Sequence, residues 1–420
     1  MTLSIKTDRH LIRAEARSSR YVLLAFTAPQ APRRANRRPV NVAFVLDRSG
    51  SMSGENKFPL ARQAVEQSLR MLRLEDRFSL VVYDDRVNVL ARSTTATQAA
   101  IRHALDSLAT VDPRNSTDLC SGWMRGCEQI SEFVDEERTT RVLLLTDGLA
   151  NQGIQDRDTL ARHASELRQR GVATSTFGVG ADFDERLLRD MAHEGGGNFY
   201  FLENALQIPD LITSELGEAL EVVIPHAAIE LDLPHHADAE VLNRFRSFLA
   251  DNSLRIELGD VVSAQEVEVL VRVNFPHGET RVRVALNARI VGRNGDLVQS
   301  AGIEWTYASH LDNDSQPRDV EVDRRIAAIY ASRARADATE ANRHHDFAAA
   351  KRVIERTAAR IRQYAGDDQI INDCWRGLVA EMHRYDREEM SPMMMKSSYY
   401  VAEMAMKGRA ADGRARRSPR

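Results

Sequence analysis

The sequence predicts an α/β protein in which a doubly wound, mainly parallel sheet is joined to an antiparallel β-sandwich and a C-terminal helical region. From residue 39 to residue 220, apolar runs of strand length alternate with helical patterns, which is typical of βαβ units. From 221 to 311, apolar and polar residues alternate with a period of two, which favours strands with one wet face. Helical periodicity returns from 318 to 406 and predicts a hairpin or bundle.

Each element of the parallel region follows from its pattern. Nearly continuous apolar runs predict buried strands at 41–46, 78–83, 142–146 and 172–179. Apolar residues that recur every three or four positions predict helices at 58–74, 97–108, 119–134, 157–170 and 184–193. A short antiparallel edge strand is predicted at 87–90, after turn residues Asp84 and Asp85.

Residues 1–38 precede the parallel region and contain two strand-like runs, around 3–13 and 20–27. We expect these strands to join the sandwich and a linker at 29–38 to follow them. The linker is basic, because the first forty residues hold nine Lys or Arg residues against two acidic ones. Contact with nucleic acid or an acidic partner is one interpretation, but a solvated linker is favoured, and nucleic acid is not an expected ligand.

The C-terminal segment 407–420 carries six Lys or Arg residues against one Asp, and it is predicted to be disordered. The chain of 420 residues is 43% hydrophobic and 28% charged, with a net charge of −4, as is usual for a globular protein. No apolar run reaches the ~18 residues that span a bilayer, and residues 1–8 lack the apolar core of a signal peptide. We therefore expect a cytoplasmic protein with no membrane contact.

The residues that follow the first buried strand carry the clearest chemical signal. The strand ends at Asp47, and the loop after it supplies the hydroxyls of Ser49 and Ser51, with Gly50 between them to let the chain fold tightly. Ligands of open parallel sheets bind at the carboxyl ends of strands, and Mg²⁺ prefers oxygen ligands. The pattern predicts a divalent-cation site. The alternative is that Asp47 and Ser51 only cap the following helix.

The sequence Asp47-x-Ser49-x-Ser51 resembles the first segment of the metal-ion-dependent adhesion site of von Willebrand factor type A (VWA) domains. Two later segments resemble the rest of this site in the same order: 116–119, which carries a threonine, and 143–148, a strand that ends in an aspartate. The resemblance implies hydroxyl ligands from Ser49, Ser51 and Thr117, with Asp47 and Asp147 acting directly or through water.

Further segments resemble a bacterial branch of the same family, which is related to the VWA domains of calcium-activated chloride channels and of inter-alpha-trypsin-inhibitor heavy chains. These segments are 79–84, 176–180 and 195–200. Mg²⁺ is the expected ion because it is the most available in a reducing compartment, while Mn²⁺ and Ca²⁺ have overlapping coordination preferences and stay open.

The resemblance implies a metal-dependent protein-interaction module, in which an Asp or Glu of a partner protein completes the coordination of the ion. An adaptor or assembly role follows from it, with an AAA+ ATPase of the MoxR type as one expected partner. The alternative is a metal-dependent hydrolase that acts on a phosphoester. The sequence has no Gly-rich P-loop, no His-Glu-x-x-His and no Gly-x-Ser-x-Gly, so an enzyme is not expected.

Overall fold

The computed structural model describes residues 2–31, 37–293, 295–385 and 389–417. The strands described are β1 Thr2–Thr7, β2 Leu11–Arg13, β3 Ser18–Thr27, β4 Val40–Asp47, β5 Arg77–Tyr83, β6 Val87–Thr95, β7 Thr139–Thr146, β8 Ala173–Val179, β9 Gly196–Leu202, β10 Val222–Asp232, β11 Asp238–Val241, β12 Arg246–Ala250, β13 Ser253–Val262, β14 Glu266–Phe275, β15 Arg283–Val291 and β16 Leu297–Ala308. The helices described are α1 Lys57–Leu69, α2 Gln98–Ala109, α3 Leu119–Ser131, α4 Arg157–Gln169, α5 Glu185–Glu194, α6 Ile208–Leu220, α7 His310–Ser315, α8 Val320–Arg343, α9 Phe347–Tyr364, α10 Gln369–Glu381 and α11 Pro392–Met406.

Two compact units divide the chain. The central unit is Ala31–Val222, and the split unit consists of Met1–Gln30 together with Val223–Arg420. Of the predicted basic linker, residues 32–36 lie outside the described residues.

The central unit is built on a six-stranded sheet with the order β6-β5-β4-β7-β8-β9. All neighbours in it are parallel except β5 and β6, which confirms the predicted doubly wound, mainly parallel sheet. Every residue of β4 and of β7 is buried, and this double burial explains their continuous apolar runs. The chain runs from β4 outward to β5 and β6, then returns to β7 on the other side. The carboxyl end of β4 is therefore a topological switch point.

The predicted first helix is too long at its C-terminal end. Helix α1 stops at Leu69 rather than at residue 74. The chain turns there because the buried carboxylate of Asp76 accepts hydrogen bonds from the backbone N–H groups of Arg73, at 2.6 Å, and Val40, at 3.0 Å. This side chain fixes the start of β4 as well as the end of the helical segment. Sequence periodicity carries no signal for such a tertiary contact.

Helix α3 lies very close to the sheet, because two glycines face it. A Cβ at Gly126 would lie 2.3 Å from Cγ2 of Val45, and one at Gly122 would lie 2.3 Å from the Tyr83 ring. Both contacts are too short for a real Cβ, so this packing needs glycine at both positions. The close approach of α3 also brings the loop before it close to the sheet. This loop carries Thr117.

The split unit contains two sheets, with the orders β1-β3-β14-β11 and β12-β13-β10-β15-β16-β2. The N-terminal strand β3 pairs along its whole length with β14, more than two hundred residues later, and β2 pairs with β16. Buried residues of both sheets form one hydrophobic cluster, to which β3 gives Leu24, β14 gives Val269 and β16 gives Trp305. The β2–β16 pair is parallel, so the second sheet is mixed rather than purely antiparallel.

Helices complete the split unit and begin earlier than predicted, with α7 at His310. Buried residues of α8, α9, α10 and α11 share a further hydrophobic cluster, which includes Ala334, Ile354, Leu378 and Met395. Among the helices that the structure describes, none combines the length and apolar character needed to cross a bilayer.

The prediction of a disordered C-terminal tail is wrong for residues 408–417. Arg409 and Ala415 form an antiparallel bridge within the segment, and Arg417 bridges Gln265. The carbonyl of Arg416 also accepts a hydrogen bond from the backbone N–H of Glu266, at 2.9 Å. Charge composition predicted disorder, whereas backbone hydrogen bonds to the residues that open β14 order the segment. Residues 418–420 lie outside the described residues.

Replacing Gly126 by alanine tests the close packing of α3. We expect Gly126→Ala to lower the free energy of unfolding by about 2 kcal/mol, because overpacking against Val45 outweighs the better helix propensity of alanine. Urea unfolding followed by circular dichroism measures this change. Gly54→Ala is the matched control, since a Cβ there meets no atom within 4 Å. Equal stabilities of the two variants would contradict the packing argument.

Candidate metal centre

The register of the parallel sheet brings two of the predicted ligand loops together. Leu46 of β4 pairs with Leu145 of β7, so Asp47 lies beside Thr146 at the carboxyl ends of these strands. The Thr146 hydroxyl donates a hydrogen bond to Oδ2 of Asp47, at 2.7 Å. Asp147 is the next residue, and its carboxylate therefore lies at the same edge of the sheet.

The serine loop folds back over these carboxylates. The backbone N–H of Ser49 donates to Oδ1 of Asp47 at 2.8 Å, and the hydroxyls of Ser49 and Ser51 lie 3.1 Å apart. The Ser51 hydroxyl donates to Oδ1 of Asp147 at 2.6 Å. Asp47, Ser49 and Asp147 are buried, with exposed fractions of 0%, 2% and 1%. Four of the five predicted ligand residues thus form one hydrogen-bonded group.

Thr117 comes from the loop before α3 and completes the set. A Cβ at Gly148 would lie 3.6 Å from Oγ of Ser51 and 3.8 Å from Oγ1 of Thr117, so both hydroxyls face the same small space. Asn151 holds the threonine loop there, because its Oδ1 accepts the Thr117 N–H at 2.9 Å while its own N–H donates to the Thr117 carbonyl at 3.2 Å. The structure therefore brings all five predicted residues together.

The alternative role of these residues as helix caps does not match the structure. Helix α1 begins at Lys57, and its N-cap residue is Asn56, which makes no side-chain cap hydrogen bond. The Asp47 carboxylate is engaged by Thr146 and by the N–H of Ser49 instead.

The oxygen atoms of this cluster fit a hard divalent cation. In the described part of the chain, no group of three or more His, Cys, Asp or Glu side chains is placed to hold a metal ion. A cation site in these residues therefore has to use hydroxyl oxygens beside its carboxylates, and Ser49, Ser51 and Thr117 supply them. Carboxylate and hydroxyl oxygens completed by water are ligands that Mg²⁺ accepts.

Sequence patterns did not predict the ion pairs around the cluster. The Lys57 ammonium lies 2.8 Å from Oδ2 of Asp147. The buried carboxylate of Asp84 pairs with Nε of Arg48 at 3.1 Å and with Nε of Arg114 at 2.9 Å. Arg48 and Lys57 stand close to the serine motif in the sequence, but their ion pairs join loops that are distant in the chain. Sequence spacing alone could not reveal these pairs.

Burial raises the pKa of Asp47 to about 6, although the hydrogen bonds from Thr146 and Ser49 oppose the shift. A carboxylate taken out of water is costly to ionise. Near neutral pH, Asp47 is therefore an ionised group that the protein fold alone does not fully stabilise, and a bound cation would relieve this cost.

Residues 41–214 match the family model of the von Willebrand factor type A domain. The chain contains a VWA domain. The matched residues lie within the central unit and include all five predicted ligands, as the resemblance in the sequence indicated.

Curated relatives are similar to part of this chain. The uncharacterized protein YfbK of Escherichia coli is 29% identical over 195 residues, which are 46% of this chain and 33% of YfbK. Inter-alpha-trypsin inhibitor heavy chain H3 of Rattus norvegicus is 26% identical over 53% of this chain and 26% of its own length. The chain thus spans about a third or less of these relatives.

The fold of the whole chain also has a counterpart among solved structures. A von Willebrand factor type A structure from Catenulispora acidiphila superposes with a TM-score of 0.71, covering 99% of this chain and 97% of that one. The sequence identity is 15%. This similarity is one of fold and includes the split unit as well as the VWA domain.

Replacing Asp47 by asparagine tests how much the buried carboxylate lowers the free energy of unfolding. The folded protein raises the pKa of Asp47 above its unfolded value, so the native state binds the proton more strongly, and stability is lost as pH rises towards about 6. In chelator, the stability of Asp47→Asn relative to wild type should increase by about 2 kcal/mol between about pH 4.5 and about pH 7.5. Urea unfolding at both pH values measures this shift.

Asp112→Asn is the control for this experiment, because that carboxylate has an exposed side chain. We expect its relative stability to change little between the same two pH values. A pH dependence of Asp47→Asn that matches this control would contradict the proposed cost of burying Asp47.

Proposed function

We propose that this protein is a metal-dependent protein-interaction module, which binds an Asp or Glu carboxylate of a partner through a divalent cation at the VWA domain. The observation that carries the proposal is the composition of the oxygen cluster. It combines three hydroxyls with only two carboxylates, and all five residues converge at the carboxyl ends of β4 and β7. A cation whose ligands are mostly neutral hydroxyls and waters stays electrophilic and can accept an outside anion as a ligand.

The residues of the chain would divide this work between them. Ser49, Ser51 and Thr117 offer neutral oxygen atoms, while Asp47 and Asp147 supply charge directly or through water. Thr146 and Asn151 orient Asp47 and the threonine loop through the hydrogen bonds described above. When bound, the cation supplies a positively charged centre that can accept a carboxylate oxygen from outside the chain.

The alternative, a hydrolase acting on phosphoesters, would need a base beside the ion. Three of the neighbouring polar residues that could be recruited for this role already have a structural one. Asp118 caps α3 by accepting hydrogen bonds from the N–H of Ser121 at 3.0 Å and its hydroxyl at 2.8 Å. Asn151 holds the threonine loop, and Arg48 pairs with Asp84. These engagements favour the binding module over the hydrolase.

Several finer points stay predictions. Mg²⁺ is the proposed ion, with Mn²⁺ and Ca²⁺ as alternatives, because the donor set suits any of these hard cations. An adaptor or assembly role and a MoxR-type ATPase as partner rest on the family resemblance, and a cytoplasmic location rests on the sequence.

Removing a single hydroxyl tests the proposed site. We expect Ser51→Ala to weaken Mn²⁺ binding about tenfold or more, because the change removes one proposed ligand and the hydrogen bond that orients Asp147. Isothermal titration calorimetry measures the Mn²⁺ affinity. A pull-down with immobilised protein, run in Mg²⁺ and in chelator, measures whether partner capture needs the ion.

Ser53→Ala is the matched control two residues further along. Its hydroxyl is exposed and donates to the Gly50 carbonyl at 2.7 Å, outside the oxygen cluster. This variant should bind Mn²⁺ as wild type does. Wild-type protein without a Mn²⁺ site, or partner capture that continues unchanged in chelator, would contradict the proposed function.

A further inference from the structure

Lys57 is a nearly buried cation at the proposed metal site. Its side chain is 13% exposed, and its ammonium lies 2.8 Å from Oδ2 of Asp147, whose side chain is fully buried. The other oxygen of that carboxylate accepts the Ser51 hydroxyl. The ammonium therefore occupies the side of Asp147 that the serine loop leaves open.

The backbone that presents Lys57 is in an unfavourable conformation. The two residues before it, Glu55 and Asn56, both have positive φ angles, of 52° and 57°. Non-glycine residues adopt this conformation at a cost, and such residues concentrate at functional sites. Lys57 itself is the first residue of α1, where the helix dipole disfavours a cation, and no acidic side chain of the first turn offsets it. The local structure thus works against placing a lysine here.

The charge of Lys57 determines the charge of the whole cluster. Asp84 is already paired with Arg48 and Arg114, so the cluster itself consists of Asp47, Asp147 and Lys57. In the ionised state, two carboxylates and one ammonium leave a net charge of minus one. A divalent cation would change this to plus one, whereas the same cluster without the ammonium would be neutral.

From these observations we propose that Lys57 is a second anchor for the partner carboxylate, an inference that rests on the proposed function. Without a divalent cation, the ammonium neutralises Asp147. With the cation present, the charge of Asp147 is shared, and the ammonium on its flexible stem is released to donate to the second carboxylate oxygen of the ligand. The same residue therefore competes with the ion for Asp147 and strengthens the binding of the acidic ligand.

Lys57→Met tests both effects, and they have opposite signs. The variant should bind Mn²⁺ about tenfold more tightly, because a competing cation has been removed from Asp147. At saturating Mg²⁺ it should bind acetate several-fold more weakly, because the second anchor is missing. Calorimetry measures the first change, and a ¹H–¹⁵N NMR titration with acetate measures the second.

Two further variants make the test specific. Lys57→Arg keeps the charge, so its Mn²⁺ affinity should stay close to that of wild type. Lys351→Met removes a lysine of the split unit and should change neither affinity. Circular dichroism establishes that each variant is folded. If Lys57→Met does not fold, Lys57→Arg provides the comparison. Mn²⁺ binding by Lys57→Arg that is tighter than that of wild type would then overturn the proposal.

Mn²⁺ affinity that is unchanged or weaker in Lys57→Met would overturn the proposed competition for Asp147. Acetate affinity equal to that of wild type would overturn the proposed second anchor, even if the effect on Mn²⁺ were found. In both cases the metal site itself would stand. Wild-type protein that binds neither Mn²⁺ nor Mg²⁺ would instead overturn the proposed function together with this inference.

Discussion

The parallel register of β4 and β7 is the constraint on which the proposed site depends. It places Asp47 beside Thr146, and therefore sets Asp147 at the same edge, although these residues are a hundred positions apart in the chain. A shift by one residue would turn either side chain to the opposite face of the sheet. Both strands are completely buried, so the apolar core of the central unit holds the polar cluster in place.

Parts of the oxygen cluster and of the turn beside it lower the stability of the folded protein. Asp47 is an acid whose ionisation burial disfavours, and the turn before α1 contains two consecutive left-handed residues, Glu55 and Asn56. Such features persist only where the surrounding structure fixes them. Hydrogen bonds from Thr146 and from the backbone of Ser49 fix Asp47, and Asn151 holds the threonine loop beside it. The arrangement is that of a prepared binding site rather than of a stabilising network.

Much of the central unit could be predicted from the sequence because burial on both faces leaves a continuous apolar signal. That signal located β4 and β7. The motifs after these strands, together with the threonine-bearing segment 116–119 that the family resemblance identified, supplied the five candidate ligands. The differences between the predicted and the observed structure come from tertiary contacts. Asp76 ends α1 early, backbone pairing orders residues 408–417, and Lys57 meets Asp147 across ninety residues. None of these contacts leaves a periodic or compositional trace, so the charge balance of the site became visible only in three dimensions.

Hydroxyl and carboxylate oxygens at the strand ends are proposed to hold one divalent cation. Anomalous diffraction from crystals soaked in Mn²⁺ locates such an ion. We predict a single strong peak in the central unit, within coordination distance of the hydroxyls of Ser49, Ser51 and Thr117, and the loss of this peak in Asp47→Ala crystals. A fully soaked wild-type crystal with no peak at these oxygens, or the same peak in Asp47→Ala crystals, would contradict the proposed metal site.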